Sequence, residues 1–129
     1  ERLGVDSKVA RFVLPICTTI NMNGCAAFIF VTSLFVMQNG GIELSLPVML
    51  LWLFISVVAA IGNAGVPTGC FFLTLSLMSG VGAPVAILGI ILPVFTVLDM
   101  IETAENVWSD SCVAAMTDRD IRNASPRQA

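Results

Sequence analysis

Asp99, Thr103, Asn106 and Asp110 follow one another at intervals of four, three and four residues. At ~100° per helical residue this spacing gathers them into a stripe roughly 60° wide, with Glu102 on its shoulder and Glu105 well off it. Met100, Ile101, Val107 and Trp108 alternate with them, so one face of an otherwise apolar helix carries acids and an amide. No lysine or arginine lies within the segment to neutralise these acids. A charge at the bilayer centre costs at least about 2.5–3.5 kcal/mol on insertion scales, so such side chains face a cavity or a partner. The missing counter-charge is most simply a cation from outside: a metal ion, a proton or the ammonium of a substrate. Alternatively, the stripe is only the wet, interfacial end of its helix. Acid–base catalysis is a weaker use, because no nucleophile, histidine or metal triad accompanies the carboxylates.

Two further stretches carry polar chemistry in apolar surroundings. Thr18 to Ala26 reads TTINMNGCA, placing two threonines, two asparagines and a glycine in the middle of a lipid-length run. Gly62 to Gly69 reads GNAGVPTG, three glycines and a proline within eight residues. Broken helices at membrane depth expose carbonyls that coordinate Na⁺ and N-termini that face anions, and such backbone persists only where it lines a protein-buried site. Taken with the acidic stripe, the two breaks describe a cation-coupled carrier.

The elements that must position these groups are apolar and helical. The chain has 129 residues, of which 57% are hydrophobic and 12% charged, about half the charge of an ordinary soluble domain. Between Phe12 and Leu98 the only charged side chain is Glu43. The expected architecture is an all-α membrane protein. A transmembrane helix over 12–37 is broken near 20–24, and a re-entrant helical hairpin over 47–80 has its tip at 62–69. A long transmembrane helix follows over 83–117, then a frayed cytoplasmic tail over 118–129. The hairpin arms, Val48 to Ile61 and Cys70 to Ser79, are about 14 and about 10 residues, too short at 1.5 Å per residue for a core of about 30 Å. One longer span kinked at Pro67 is the alternative. Pro93 is expected to bend the last helix without ending it.

Lys8 and Arg11 precede the first span, and Arg119, Arg122 and Arg127 follow the last, which places both termini in the cytoplasm. Asn123-Ala124-Ser125 spells a glycosylation sequon but is followed by Pro126, and is read as chance. Cys17, Cys25, Cys70 and Cys112 form no CxxC pair or metal-ligand spacing and read as buried free thiols. With a net charge of −3 and no basic run, nucleic acid is not an expected partner.

Asn21-Met22-Asn23-Gly24 resembles the NMDGT motif of the dicarboxylate/amino acid:cation symporters, the glutamate-transporter family. Gly65-Val66-Pro67 resembles that family's gate-hairpin tip, and the run from Asp99 through Thr103 and Asn106 to Asp110 resembles its last helix. The resemblance covers nearly the whole chain in order and spacing. It implies the C-terminal part of the transport domain of a carrier built from inverted repeats: the seventh helix, second hairpin and eighth helix. It further implies that Asp99 holds a substrate α-ammonium, that Thr103 and Asn106 hold its polar groups, and that Val66 closes over it. One Na⁺ would meet Asp110, Asn106 and carbonyls at Cys17 and Asn21. A second would lie between Thr19, Met22 and the hairpin backbone at Ala60, Ile61 and Asn63. No organic cofactor is implied.

Departures from the pattern matter as much. Glu102 stands where acidic-substrate members carry an arginine, so a neutral or cationic amino acid is the expected substrate. Asn23 replaces the motif's aspartate and Phe95 a position acidic in some members, which puts a third Na⁺ site in doubt. Cys25 stands where many members have threonine, near the substrate. Since the first hairpin and scaffold helices are absent from these residues, the working unit is expected to be a longer polypeptide, homotrimeric when full length, in a prokaryotic plasma membrane. Other readings are symport of a dicarboxylate or acidic amino acid, a noncatalytic membrane subunit, or a channel.

Overall fold

A computed structural model of the chain describes residues 4–124, and these contain helices and turns but no strand. Arg127 and the Ser125-Pro126 end of the sequon lie outside the described residues. The helices are α1 (Ser7–Ile20), α2 (Asn23–Asn39), α3 (Leu46–Asn63), α4 (Gly69–Gly80) and α5 (Leu88–Ala124), with a single 3₁₀ turn at Val85–Ile87 before the last.

The break between α1 and α2 follows from the residues that occupy it. Asn21 and Met22 leave helical geometry, with ψ of 59° and 65°. Asparagine offers its side chain as a competing hydrogen-bond group, which favours such exits from a helix. Here the Asn21 amide reaches Ser109 Oγ at 3.0 Å and Asp110 Oδ1 at 2.9 Å. The first N–H groups of α2 have no partner within their own helix. The Gly24 N–H is satisfied instead by Asn106 Oδ1 of α5, at 2.9 Å. That contact demands a bare backbone: a Cβ on Gly24 would stand 2.8 Å from Glu102 Cα.

Three points fix the course of the hairpin. A Cβ on Gly40, at the end of α2, would fall 2.6 Å from Pro84 Cδ, so the exit of α4 lies where α2 ends and α3 begins. At the opposite end, a Cβ on Gly65 would fall 2.9 Å from the Thr18 carbonyl, so the tip meets the break. Both arms also pack on α2. The hairpin therefore enters and leaves at one face and stops halfway along the α1–α2 segment. α5 starts at that same face and runs antiparallel to the α1–α2 segment. Phe95 packs on Phe28 with ring centroids 4.8 Å apart, Asn106 lies at Gly24, Asp110 at Asn21 and Asp118 at Asp6.

Several element ends differ from the expectation: α1 begins at Ser7 and not at 12, and α5 at Leu88, after the 3₁₀ turn, and not at 83. The first arm is an 18-residue helix, ~27 Å long at 1.5 Å per residue. By length and composition it is one of three helical stretches able to cross a membrane, with Ser7–Asn39 and Val85–Ala124. Pro47, in the first turn, starts it early, and Asn63 extends it into the tip. The residues read as a frayed tail instead continue α5 to Ala124. Asp118 anchors this extension: it is 6% exposed, accepts the Asp6 N–H at 3.2 Å and pairs with Arg122 at 2.6 Å. Arg122 in turn donates to the Gly4 carbonyl at 2.6 Å. α5 continues through Pro93.

Ile29, Val36, Met78, Leu88 and Phe95 form the centre of the main core, where α2, the hairpin and α5 meet. Val13, Cys17 and Ala114 form a smaller cluster between α1 and α5. Leu50, Leu53, Phe54, Val57 and Val58 of α3 and Ile90, Val94, Val97 and Ile101 of α5 point outward. So much exposed apolar surface suits hydrocarbon and not water.

Candidate substrate and cation site

Where the hairpin tip meets the helix break, a cavity of about 200 Å³ opens. Met22 and Cys25 supply its α2 side, Asn63, Gly65, Val66, Pro67 and Cys70 its hairpin side, and Asp99, Glu102, Thr103 and Asn106 its α5 side. All six residues expected to hold substrate (Asp99, Glu102, Thr103, Asn106, Val66 and Cys25) line this one space. The helical stripe explains the α5 set, since residues three and four apart share a face. Val66 is at the tip and more than half exposed.

The polar atoms of the wall are partly engaged. The Thr103 hydroxyl donates to the Asp99 carbonyl at 2.8 Å, which leaves its oxygen free to accept. The Asn63 amide donates weakly to Cys25 Sγ at 3.7 Å and to the Val66 carbonyl at 3.4 Å, bracing the tip from beneath. The Cys70 thiol donates to Glu102 Oε2 at 3.2 Å. Glu102 Oε1 is closed off from solvent and has no hydrogen-bond partner. Asp99 and Glu102 both line the cavity, and among the described residues no lysine or arginine does.

The first cation set lies one helical turn further along α5. Asp110 and Asn106 are buried at 5% and 8% exposure, and Asn21 reaches Asp110 directly. The Cys17 carbonyl, on the buried side of α1, accepts the Asn21 N–H at 2.8 Å. Cys17, Asn21, Asn106 and Asp110 therefore gather around the break, where α1 ends with carbonyls that its own turns do not pair. Oxygen-rich, acid-bearing surroundings of this kind suit a hard monovalent cation.

The second set is less closely assembled. Met22 and Asn63 share the cavity wall. Thr19, Ala60 and Ile61 are not in it, although α1 and α3 pack together. Thr19 and Ile61 are exposed, and the Thr19 hydroxyl donates to the Ile16 carbonyl at 2.7 Å. The Ile61 carbonyl accepts the Ala64 N–H at 3.2 Å.

Ser109 is a site residue that sequence periodicity missed. Its hydroxyl receives both Asn21 and Asn23, at 3.0 Å and 2.5 Å. Asn23 is accordingly turned to α5 and does not line the cavity. Cys70 was missed as a site residue too: its place directly after the hairpin tip was the available signal.

The profile described as "Sodium:dicarboxylate symporter family" matches residues 1–120. An "Excitatory amino acid transporter" of Onchocerca volvulus is 38% identical over 116 residues, covering 90% of this chain and 24% of that protein. One from Caenorhabditis elegans is also 38% identical, with 90% of this chain and 23% of that protein covered. The human "Neutral amino acid transporter A" is 34% identical over 90% of this chain and 22% of its own length. The chain spans about a quarter of the length of these curated relatives. No solved structure matches significantly.

Proposed function

Because the chain belongs to the Sodium:dicarboxylate symporter family, whose relatives above are transporters and not enzymes, we propose that it forms the substrate- and sodium-binding part of an amino acid symporter. The substrate is a neutral or cationic amino acid. The strongest support is the cavity wall, with Asp99 and Glu102 on it and no basic group among the described residues. An acidic side chain entering there would meet two like charges with nothing to pair it, a mismatch costing several kcal/mol. A substrate α-ammonium finds a partner in Asp99, while Thr103 and Asn106 offer polar contacts. The volume of about 200 Å³ is smaller than the roughly 300–1,000 Å³ of drug-sized pockets and suits one small amino acid. The names of the relatives include both an excitatory and a neutral amino acid transporter, so the family accommodates either choice.

Na⁺ enters as a co-substrate. Asp110, Asn106, Asn21 and the Cys17 carbonyl would hold one ion, and Thr19, Met22, Ala60, Ile61 and Asn63 a second. An ion at the first position would stiffen the break against which the hairpin tip rests. Sodium then favours the closed tip, and the closed tip favours retained substrate, which is the linkage a symporter needs. The hairpin acts as the extracellular gate of an alternating-access cycle. The basic residues at the α1 start and the α5 end support cytoplasmic termini. The full carrier adds an N-terminal part and assembles as a homotrimer.

The test is uptake by the full-length carrier in proteoliposomes, with competing acidic, neutral and cationic amino acids, with and without a Na⁺ gradient. Sodium-dependent uptake displaced by neutral or cationic competitors is the expected result. Preferential displacement by aspartate-type competitors would reject the substrate assignment, and gradient-independent uptake would reject the coupling.

A further inference from the structure

Three elements bring soft and hard ligand atoms to one point. Sγ of Cys25 in the first turn of α2, Sγ of Cys70 in the first turn of α4 and a carboxylate oxygen of Glu102 on α5 lie within 4.8 Å of one another. The two thiols are 2% and 3% exposed. Cys70 already points at Glu102 Oε2, 3.2 Å away, while Glu102 Oε1 sits shielded from solvent with no partner. Apolar packing alone explains a buried thiol. It does not explain a carboxylate aimed at two of them with one oxygen unsatisfied.

We propose that Cys25, Cys70 and Glu102 form a binding site for a soft divalent cation, zinc in type, which clamps the hairpin tip to α2 and α5. Two ligand atoms on a tetrahedral zinc centre stand roughly 3.5–3.8 Å apart, given Zn–S of about 2.3 Å and Zn–O of about 2.0–2.2 Å. The present cluster needs shifts of about 1 Å or less to close on an ion, within reach of side-chain rotation. Two sulfur ligands select zinc or cadmium against Na⁺, Mg²⁺ and Ca²⁺, which prefer oxygen. As the ion binds, each thiol gives up its proton to solvent, and the two thiolates with the carboxylate supply three ligands. All three residues line the cavity, which leaves the fourth position to a water from it. The Asn63 amide, 3.7 Å from Cys25 Sγ, orients that ligand from behind. Because the ligands come from both the hairpin and the helices it rests on, a bound ion ties the tip shut. The inference stands on this geometry alone and survives if the transport reading fails.

The experiment titrates the full-length protein, reduced and in detergent, with ZnCl₂ and separately with CdCl₂. It reads metal bound per chain, the ultraviolet thiolate-to-cadmium absorption, and protection of Cys25 and Cys70 from alkylation mapped by mass spectrometry. One equivalent per chain, the cadmium absorption and zinc protection of both cysteines are expected. Cys25→Ser and Cys70→Ser should each abolish the absorption, and the near-isosteric Glu102→Gln should weaken zinc by at least about tenfold. Cys112→Ser, outside the cluster, should bind as the parent does. Should a serine variant fail to fold, Glu102→Gln and the alkylation map of the parent decide the matter by themselves. Zinc binding that persists in the Cys25→Ser/Cys70→Ser double variant overturns the proposal, as does alkylation of both thiols unaffected by zinc. If, in a parallel sample purified without reductant, the two cysteines resist alkylation until a reductant is added, they form a disulfide and the metal site is wrong.

Discussion

Asp110 shows how much a single carboxylate can organise. It is buried, it holds the Asn21 amide that replaces the helical geometry of the break, and it lies one turn from Asn106, which caps Gly24. Asp110→Asn keeps the shape and removes the charge. The full-length protein should then lose the thermal stabilisation that added NaCl confers beyond KCl, and sodium-driven uptake should fall at least about tenfold, equivalent to 1.4 kcal/mol. An unchanged sodium-specific melting shift in this variant would remove Asp110 from the ion site. Glu102 lies on the wall of the neighbouring cavity. Glu102→Arg reverses a charge on the cavity wall, so inhibition by aspartate-type competitors should rise relative to lysine- and serine-type ones. A competitor ranking identical to the parent's would show that Glu102 does not face the substrate. At this scale the α5 stripe was readable because helical periodicity is a local property of four residues. Ser109 and Cys70 were not, because their importance comes from the register of α5 against the break and from the tip folding back. Those are set by long-range packing, which no spacing along the chain encodes.

The helix break and the hairpin tip are both places where residue type overrides helix formation. TTINMNGCA was legible as a break because asparagine competes for backbone groups, and GNAGVPTG as a tip because glycine and proline end helices. Their ends were less legible: Pro47 opens α3 two residues before Val48, and the contacts of Asp118 carry α5 to Ala124. The tip also stores strain at Ala64, which has φ of 49°, and at Thr68, which has φ of 56°. A side chain in this left-handed region costs about 1–2 kcal/mol, offset in part by the lower chain entropy of a non-glycine residue in the unfolded state. Ala64→Gly should therefore stabilise the hairpin by roughly 0.5–1 kcal/mol. Thermal unfolding of the full-length protein without substrate would rise by a degree or more if the strain is relieved. A lower unfolding temperature would mean that Ala64 makes packing contacts worth more than its backbone strain.

The described residues form two polar ends with the cavity between them. Asp6, Asp118 and Arg122 join the start of α1 to the end of α5, while Gly40 and Pro84 join the end of α2 to the exit of the hairpin. The apolar outer surfaces of α3 and α5 lie between these ends, so a bilayer would leave the two polar faces on opposite sides. The hairpin changes the consequence of that arrangement. A third full span at α3, which its length permits, would need α4 to begin at the far face. The contact of Gly65 with Thr18 stops the tip at the break instead, and α4 returns to the face that α3 left. Cysteines introduced at Glu43→Cys and Asp120→Cys should then react with a membrane-impermeant maleimide from opposite sides of sealed vesicles. Glu43 sits in the loop between α2 and α3, and Asp120 is exposed near the end of α5. A cysteine at Gly82→Cys, just beyond α4, should follow Glu43→Cys, because a re-entrant hairpin returns its exit to the entry face. Labelling of Gly82→Cys on the Asp120 side would make the segment from α3 to α4 a single crossing and end the gate reading. If all three positions react from one side, the two-faced placement in the membrane itself is wrong.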